Sequence, residues 1–203
     1  MADRSAHAVG PSASPTSASS TGTRATSSLI NEMLTFIEAA VHSILYCRGI
    51  YPSNLFERRR KYGMAVWMSR HPQLNTYITK VLRNAQPLFE RGLVLRVLVP
   101  ITGKDGVVRE TYTFAFSNYA AGPTLDLRQL QDAFRGCLSR LNVVESQLKP
   151  LPPPATTGSC TFKIVIVTES DGKPFDEVNA AADSNYGTTT DRVGTLSVDD
   201  LLL

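Results

Sequence analysis

The histidines and cysteines of this 203-residue sequence are the first candidates to attack, ligate or shuttle protons: His7, His42, His71, Cys47, Cys137 and Cys160. Nucleophilic catalysis needs a base within hydrogen-bond reach of the nucleophile, and none of these residues stands at a known nucleophile spacing. Three cysteines without a paired short spacing fit neither a zinc cluster nor a disulfide framework, so the expectation is three reduced, partly buried thiols. The glycines form no phosphate loop and no dinucleotide fingerprint, and the run TGKDGV (102–107) reads as a hairpin turn. No catalytic, cofactor-binding or metal-ligating residue is therefore expected, and no cofactor.

Charge is the other possible chemistry. The formal net charge is only +3, but it is unevenly spread. Between Cys47 and Arg70 lie Arg48, Arg58, Arg59, Arg60, Lys61 and Arg70 against Glu57, whereas after Thr168 eight acidic residues face only Lys173 and Arg192. The run Arg58, Arg59, Arg60, Lys61 could serve nuclear import or nucleic acid. A solvated loop, or a basic face for a protein partner, accounts for it better, and direct DNA binding is not expected.

These residues must be held by a scaffold. A hydrophobic content of 42% suits one globular domain with some unstructured sequence. No apolar run has the roughly 18 to 20 residues a bilayer span requires, nor is there an N-terminal secretory block, so a nuclear or cytosolic location without membrane contact is expected. Residues 1–26, almost all Ser, Thr, Ala, Pro and Gly, cannot bury enough apolar surface to offset their ordering entropy and should be disordered.

A first helix is expected from an N-cap at Ser27 or Ser28, with Ile30, Met33, Leu34, Ile37, Val41, Ile44 and Leu45 on one face. Tyr51-Pro52-Ser53-Asn54 ends it, and Met64 to Met68 follows as a short apolar segment. A second helix opens at His71-Pro72, carries the stripe Leu74, Tyr77, Ile78, Val81, Leu82, Ala85 and Leu88 or Phe89, and stops at Gly92. Leu93–Ile101 and Val107–Phe116 read as a β-hairpin with Tyr112, Phe114 and Phe116 on one face. Asn118–Pro123 is a loop, and a third helix carries Leu127, Leu130, Phe134, Cys137, Leu138, Leu141, Val144 and Leu148. The proline-rich linker Lys149–Gly158 precedes Cys160–Thr168, apolar on both faces and expected to be the central strand. The rest reads as a mobile acidic tail with room for a short edge strand. The sum is an α+β fold, three helices on a small, mainly antiparallel sheet.

The wording of AVHSILYCRGIYPSNLFERRRKYG (40–63) resembles the first helix and following loop of HORMA domains, through its ILY, R-x-IYP, F and KYG elements. Within that family MSRHPQLNTYI (68–78) is similar to the branch that forms the accessory subunit of translesion DNA polymerase zeta, as is Cys160-Thr161-Phe162 after Pro154 and Gly158. RGIYPS and KYG stand equally close to the spindle-checkpoint branch. The resemblance covers about residues 28–168 and divides the chain into a tail (1–26), a HORMA core (27–168) and a divergent or shortened C-terminal belt segment (169–203).

What the resemblance implies is protein recognition without catalysis. HORMA domains bind an extended partner peptide beside the sheet, by strand addition, and fold the C-terminal belt over it. In the polymerase branch that peptide contains proline and comes from the catalytic subunit. The scaffold polymerase of translesion synthesis and another HORMA protein are further implied partners. Tyr77 matches the tyrosine whose ring meets the peptide, with Leu74 beside it in the helical stripe. Arg58 matches a basic position of the HORMA dimer surface, while Asp132 stands where the family carries an arginine. The belt tryptophan has no counterpart, Trp67 being the sole tryptophan and far upstream. The alternatives are a spindle-checkpoint adaptor and, from another class, a basic nucleic-acid-binding module.

Overall fold

The fold is built on α1 (Ser20–Cys47). In the computed structural model, which describes residues 20–116, 126–151, 160–168, 174–175 and 194–197, this helix lies at the centre of the core. Phe36, Ile37, Ala39, Ala40, Val41, His42, Ser43, Ile44 and Leu45 are all buried, so the helix is covered on every side rather than on the single expected face. Polar residues survive there because their groups are hydrogen-bonded: Ser43 donates to the Ala39 carbonyl at 2.9 Å, and His42 accepts from a backbone amide of a later strand. The helix also starts earlier than the predicted Ser27 or Ser28 cap. Adding residues to a formed helix requires no new nucleation, and no proline interrupts 20–28, so Ser20 to Thr26 continue the helix inside the stretch expected to be unordered. Residues 1–19, the loop 118–123 and most of the 149–158 linker and of 169–203 lie outside the described residues.

After a one-turn 3-10 helix (Ser53–Leu55), β1 (Phe56–Lys61) and β2 (Met64–Ser69) pair antiparallel into a hairpin of their own. This corrects two expectations, since the basic run is a strand rather than a loop and the apolar segment is its partner. The turn explains it. Tyr62 (φ 50°) and Gly63 (φ 73°) both take the left-handed region, as a two-residue type I′ hairpin turn requires.

α2 (Pro72–Glu90) follows the expected pattern. His71 caps it, its Nδ1 accepting the Leu74 N–H at 3.3 Å, and Pro72 fills the first turn. Gly92 (φ 72°) ends it, with Gly92 N–H to Phe89 O and Leu93 N–H to Leu88 O, each 3.0 Å.

β3 (Val94–Thr102) and β4 (Val108–Ala115) form the predicted antiparallel hairpin, and α3 spans Leu127–Gln147. Phe114 on β4 meets Phe36 edge-on at 5.8 Å, and Phe36 stacks on Phe134 of α3 at 4.1 Å, which ties sheet, central helix and outer helix together. The stretch 160–168 is two strands, β5 (Thr161–Phe162) and β6 (Val165–Thr168), both antiparallel to β3. With β7 (Pro174–Phe175) beside β6 and β8 (Gly194–Ser197) parallel to β4, the order is β7-β6-β3-β4-β8. The central strand is thus β3. The apolar faces of β6 reflect its inner position between β3 and β7, and the acidic segment supplies a strand at each edge of the sheet.

Candidate functional site

One proline shapes the site. The β3 pairings Ile101 with Phe162 and Leu98 with Val165 share one register, which sets Pro100 opposite Lys163 and Val99 opposite Ile164. Lys163 donates its N–H to the Pro100 carbonyl at 3.2 Å, but Pro100 has no N–H to return. The ladder lapses there, which separates β5 from β6. Alternate residues of an antiparallel strand point their backbone groups to opposite edges, so Ile164 and Phe162 face away from β3. The Tyr77 hydroxyl reaches across from α2 and accepts the Ile164 N–H at 3.2 Å.

Beside this outward edge lies a cleft of about 550 Å³, lined by Tyr51, His71, Gln73, Leu74, Tyr77, Thr161 and Phe162. Among the described residues no strand pairs with the outer edge of β5. Phe162 stands edge-to-face with both tyrosines, its ring centroid 5.6 Å from Tyr77 and 6.3 Å from Tyr51. Leu74, one helical turn before Tyr77, is buried beneath them, whereas Tyr77 is half-buried and presents ring surface to the cleft. Burial raises the Tyr51 phenol above its ordinary pKa, so it stays a hydroxyl at neutral pH. An aromatic trough beside this strand edge can take an extended chain: the outward backbone groups of Phe162 offer main-chain hydrogen bonds and the rings offer apolar faces.

Leu74 and Tyr77, the two residues singled out for the ligand face, thus line one cleft. Sequence reasoning takes Tyr51 and Phe162 as a helix stop and a strand residue, and as parts of the R-x-IYP and Cys160-Thr161-Phe162 resemblances, but not as ligand-face residues. The available signal was the alternation of Cys160, Phe162 and Ile164, which puts an aromatic on the same strand face as Ile164.

The remaining candidates lie elsewhere. Arg58, Arg59 and Arg60 are exposed on β1, with Lys61 half-exposed, and Arg59 pairs with Glu57 at 2.7 Å. The Arg58 guanidinium sits over the Trp67 ring, 4.9 Å from its centre, and Tyr46 stacks on the same indole at 3.9 Å. Trp67 therefore belongs to the β1–β2 hairpin. Asp132 on α3 pairs with Arg135 at 2.9 Å, so Arg58 and Asp132 each engage a different residue and do not pair with one another. Arg48 and Arg70 leave the basic patch. Arg70 donates to the Asn54 carbonyl, and buried Arg48 grips Glu110 through two nitrogens and the Lys149 carbonyl at 2.7 Å.

His42 is held well below its ordinary pKa, at about 4, first by burial and then by the Arg59 guanidinium. Its Nδ1 accepts the Ser69 N–H at 3.4 Å, a structural contact between α1 and β2. Burial pushes the Cys137 thiol up to about 11. Among the described residues no three His, Cys, Asp or Glu side chains could jointly hold a metal ion, and no helix is long and apolar enough to cross a membrane.

Comparison with known proteins bears on the fold. The sequence model of the HORMA domain matches residues 29–150. Over 136 residues the chain is 35% identical to the mitotic spindle assembly checkpoint protein MAD2B of Danio rerio, covering 66% of this chain and 62% of that protein. It is 37% identical over 121 residues to the DNA polymerase zeta processivity subunit of Arabidopsis thaliana, covering 59% and 56%. The chain therefore spans about three-fifths of the length of the curated relatives it matches. Among solved structures, a chain of the mitotic checkpoint complex superposes with a TM-score of 0.63 at 24% identity, covering 78% of this chain and 82% of that one. HTP-2 of C. elegans, bound to a HIM-3 closure motif, superposes at 0.59 with 15% identity, covering 78% and 77%.

Proposed function

The chain belongs to the HORMA domain family, and from that premise we propose that it is a non-catalytic adaptor which captures an extended, proline-containing segment of a partner protein in the cleft between α2 and β5. The partner in this reading is the catalytic subunit of DNA polymerase zeta, and the process is translesion DNA synthesis in the nucleus, with the cytoplasm as a second compartment. Names of relatives support it: a DNA polymerase zeta processivity subunit in Arabidopsis thaliana and DNA polymerase zeta subunit 2 in Drosophila melanogaster. A solved HORMA neighbour is described as bound to a closure motif, which supports peptide capture.

The observation that carries the proposal is the trough of Tyr51, Tyr77 and Phe162 alongside the outward edge of β5. A proline ring needs no backbone donor from its host and packs well on aromatic faces, while flanking residues can use the strand edge. The acidic segment supplies β7, beside β6, and β8, beside β4, strands at opposite edges of the sheet, an arrangement that supports a belt. A scaffold polymerase and a second HORMA protein remain further proposed partners. A spindle-checkpoint adaptor is the second reading, favoured by the MAD2B relatives.

The test is a fluorescence-anisotropy titration with a proline-containing peptide from a polymerase zeta catalytic subunit and, in parallel, with a closure peptide of a checkpoint partner. Tyr77→Ala should weaken the preferred peptide by about 1 to 3 kcal/mol, as expected for a buried aromatic hot spot. Unchanged affinity would remove Tyr77 from the binding face, and tighter binding of the checkpoint peptide would move the chain to the second reading.

A further inference from the structure

The outer edge of β1 is a second docking surface. The phase of the β1–β2 ladder is fixed at its open end, where Arg70 N–H bonds Leu55 O at 2.7 Å and the Ser69 N–H turns away from β1 to His42. Phe56–Ser69 is therefore a non-hydrogen-bonded pair, as are Arg58–Trp67 and Arg60–Ala65 two and four residues on. It follows that the backbone N–H and C=O of Arg58 and Arg60 point to the far side of β1, where no strand pairs among the described residues. Their side chains share a face with Trp67. Tyr46 stacks on that indole at 3.9 Å and the Arg58 guanidinium lies over the same ring, 4.9 Å from its centre, a contact that holds the guanidinium in place while its N–H fork can still meet a ligand.

We infer that this edge binds an extended acidic peptide of a partner protein, added to β1 as a third strand with carboxylates two residues apart opposite Arg58 and Arg60. Residues directly opposite one another across a strand pair share a face, so an acidic-x-acidic spacing meets both arginines at once. Arg59 and Lys61 point to the other face and contribute only general attraction. A second copy of the chain is disfavoured as occupant, because like charges would stand opposite each other. The site does not rest on the cleft reading and is separable from it.

The probe is a fluorescein-labelled peptide of alternating valine and aspartate titrated into the full chain, with the intrinsic emission of Trp67 as a second signal. Arg58→Ala with Arg60→Ala should weaken binding about tenfold or more, two charge-assisted contacts being lost, whereas Arg59→Ala with Lys61→Ala should change it about threefold or less. Both pairs lie on the exposed strand, and unchanged circular dichroism checks their folding. Saturable binding that shifts Trp67 emission, persists in Tyr77→Ala and follows this ranking supports the inference. Equal losses from the two pairs, equal binding of a peptide with adjacent aspartates, or no saturable binding would each overturn it. Displacement of the peptide by a tighter-binding single-stranded oligonucleotide, or self-association of the chain that requires Arg58 and Arg60, would also overturn it and assign the edge to nucleic acid or to a second copy.

Discussion

Replacing Arg48 by alanine should destabilise the fold more than loss of any exposed arginine, although the residue touches no ligand face. Its side chain is 5% exposed and Glu110 is 16% exposed. Arg48 gives Glu110 its Nε–H at 2.9 Å and a second nitrogen, and donates a further bond to the Lys149 carbonyl. Without it the Glu110 carboxylate keeps, among the described residues, only the Tyr112 hydroxyl, 3.2 Å away, and the Lys149 carbonyl loses its donor. Breaking a buried pair from one side costs about 3 to 5 kcal/mol, because the remaining charge stays desolvated. Against a typical reserve of about 5 to 15 kcal/mol, that is a large share. Replacing both partners, Arg48→Met with Glu110→Leu, should recover most of the loss, since a well-packed apolar pair is often neutral or stabilising relative to the ion pair. Urea unfolding followed by circular dichroism measures Arg48→Ala and the four corners of the cycle, the parent chain, Arg48→Met, Glu110→Leu and the double variant. A loss below about 1 kcal/mol for Arg48→Ala, or a double variant as unstable as the two singles summed, would refute the reasoning.

Two smaller expectations come from buried titratable groups. His42 has a folded pKa of about 4 against an ordinary 6.5, so the unfolded chain binds the extra proton and stability falls as pH drops from about 6.5 to about 4. His42→Gln, which keeps an acceptor for the Ser69 N–H, should flatten that part of the pH–stability curve. An unchanged slope would show that His42 does not carry it. Cys137, raised to about 11, holds almost no thiolate at pH 8, so a thiol reagent should modify fewer than three cysteines before denaturation. Modification of Cys137 in the folded protein, located by peptide mapping, would contradict its burial.

Much of the scaffold was legible because its signals are local. His71-Pro72 at one end of α2 and Gly92 at the other are caps whose chemistry acts within a turn, and the alternation of Tyr112, Phe114 and Phe116 needs only its own strand. Tyr77 and Leu74 came to one cleft for the same reason, being one turn apart on a helix whose face was readable. The β1 strand was not legible. FERRRK has one apolar residue, and its extended form comes from the partner strand and from a turn that places a tyrosine at positive φ. Nor was the full burial of α1, because His42 and Ser43 read as polar while their partners, the Ser69 amide and the Ala39 carbonyl, are backbone groups that composition does not show. The division of 160–168 into two strands has its cause in Pro100, a residue of a different strand, and Phe162 became a site residue through that non-local effect.

Pro100 also divides the sheet into units of unequal strength. β6 is held by β3 on one side and β7 on the other, whereas β5 has its short pairing to β3, the Lys163 bond to Pro100 and the nearby tether from Ile164 to Tyr77. Local opening follows such seams, so β5 is expected to open separately, and hydrogen exchange should find its amides less protected than those of β6. The wall of the cleft that bears Phe162 can thus yield to a ligand's shape without the rest of the sheet opening, an adaptability set by one missing hydrogen.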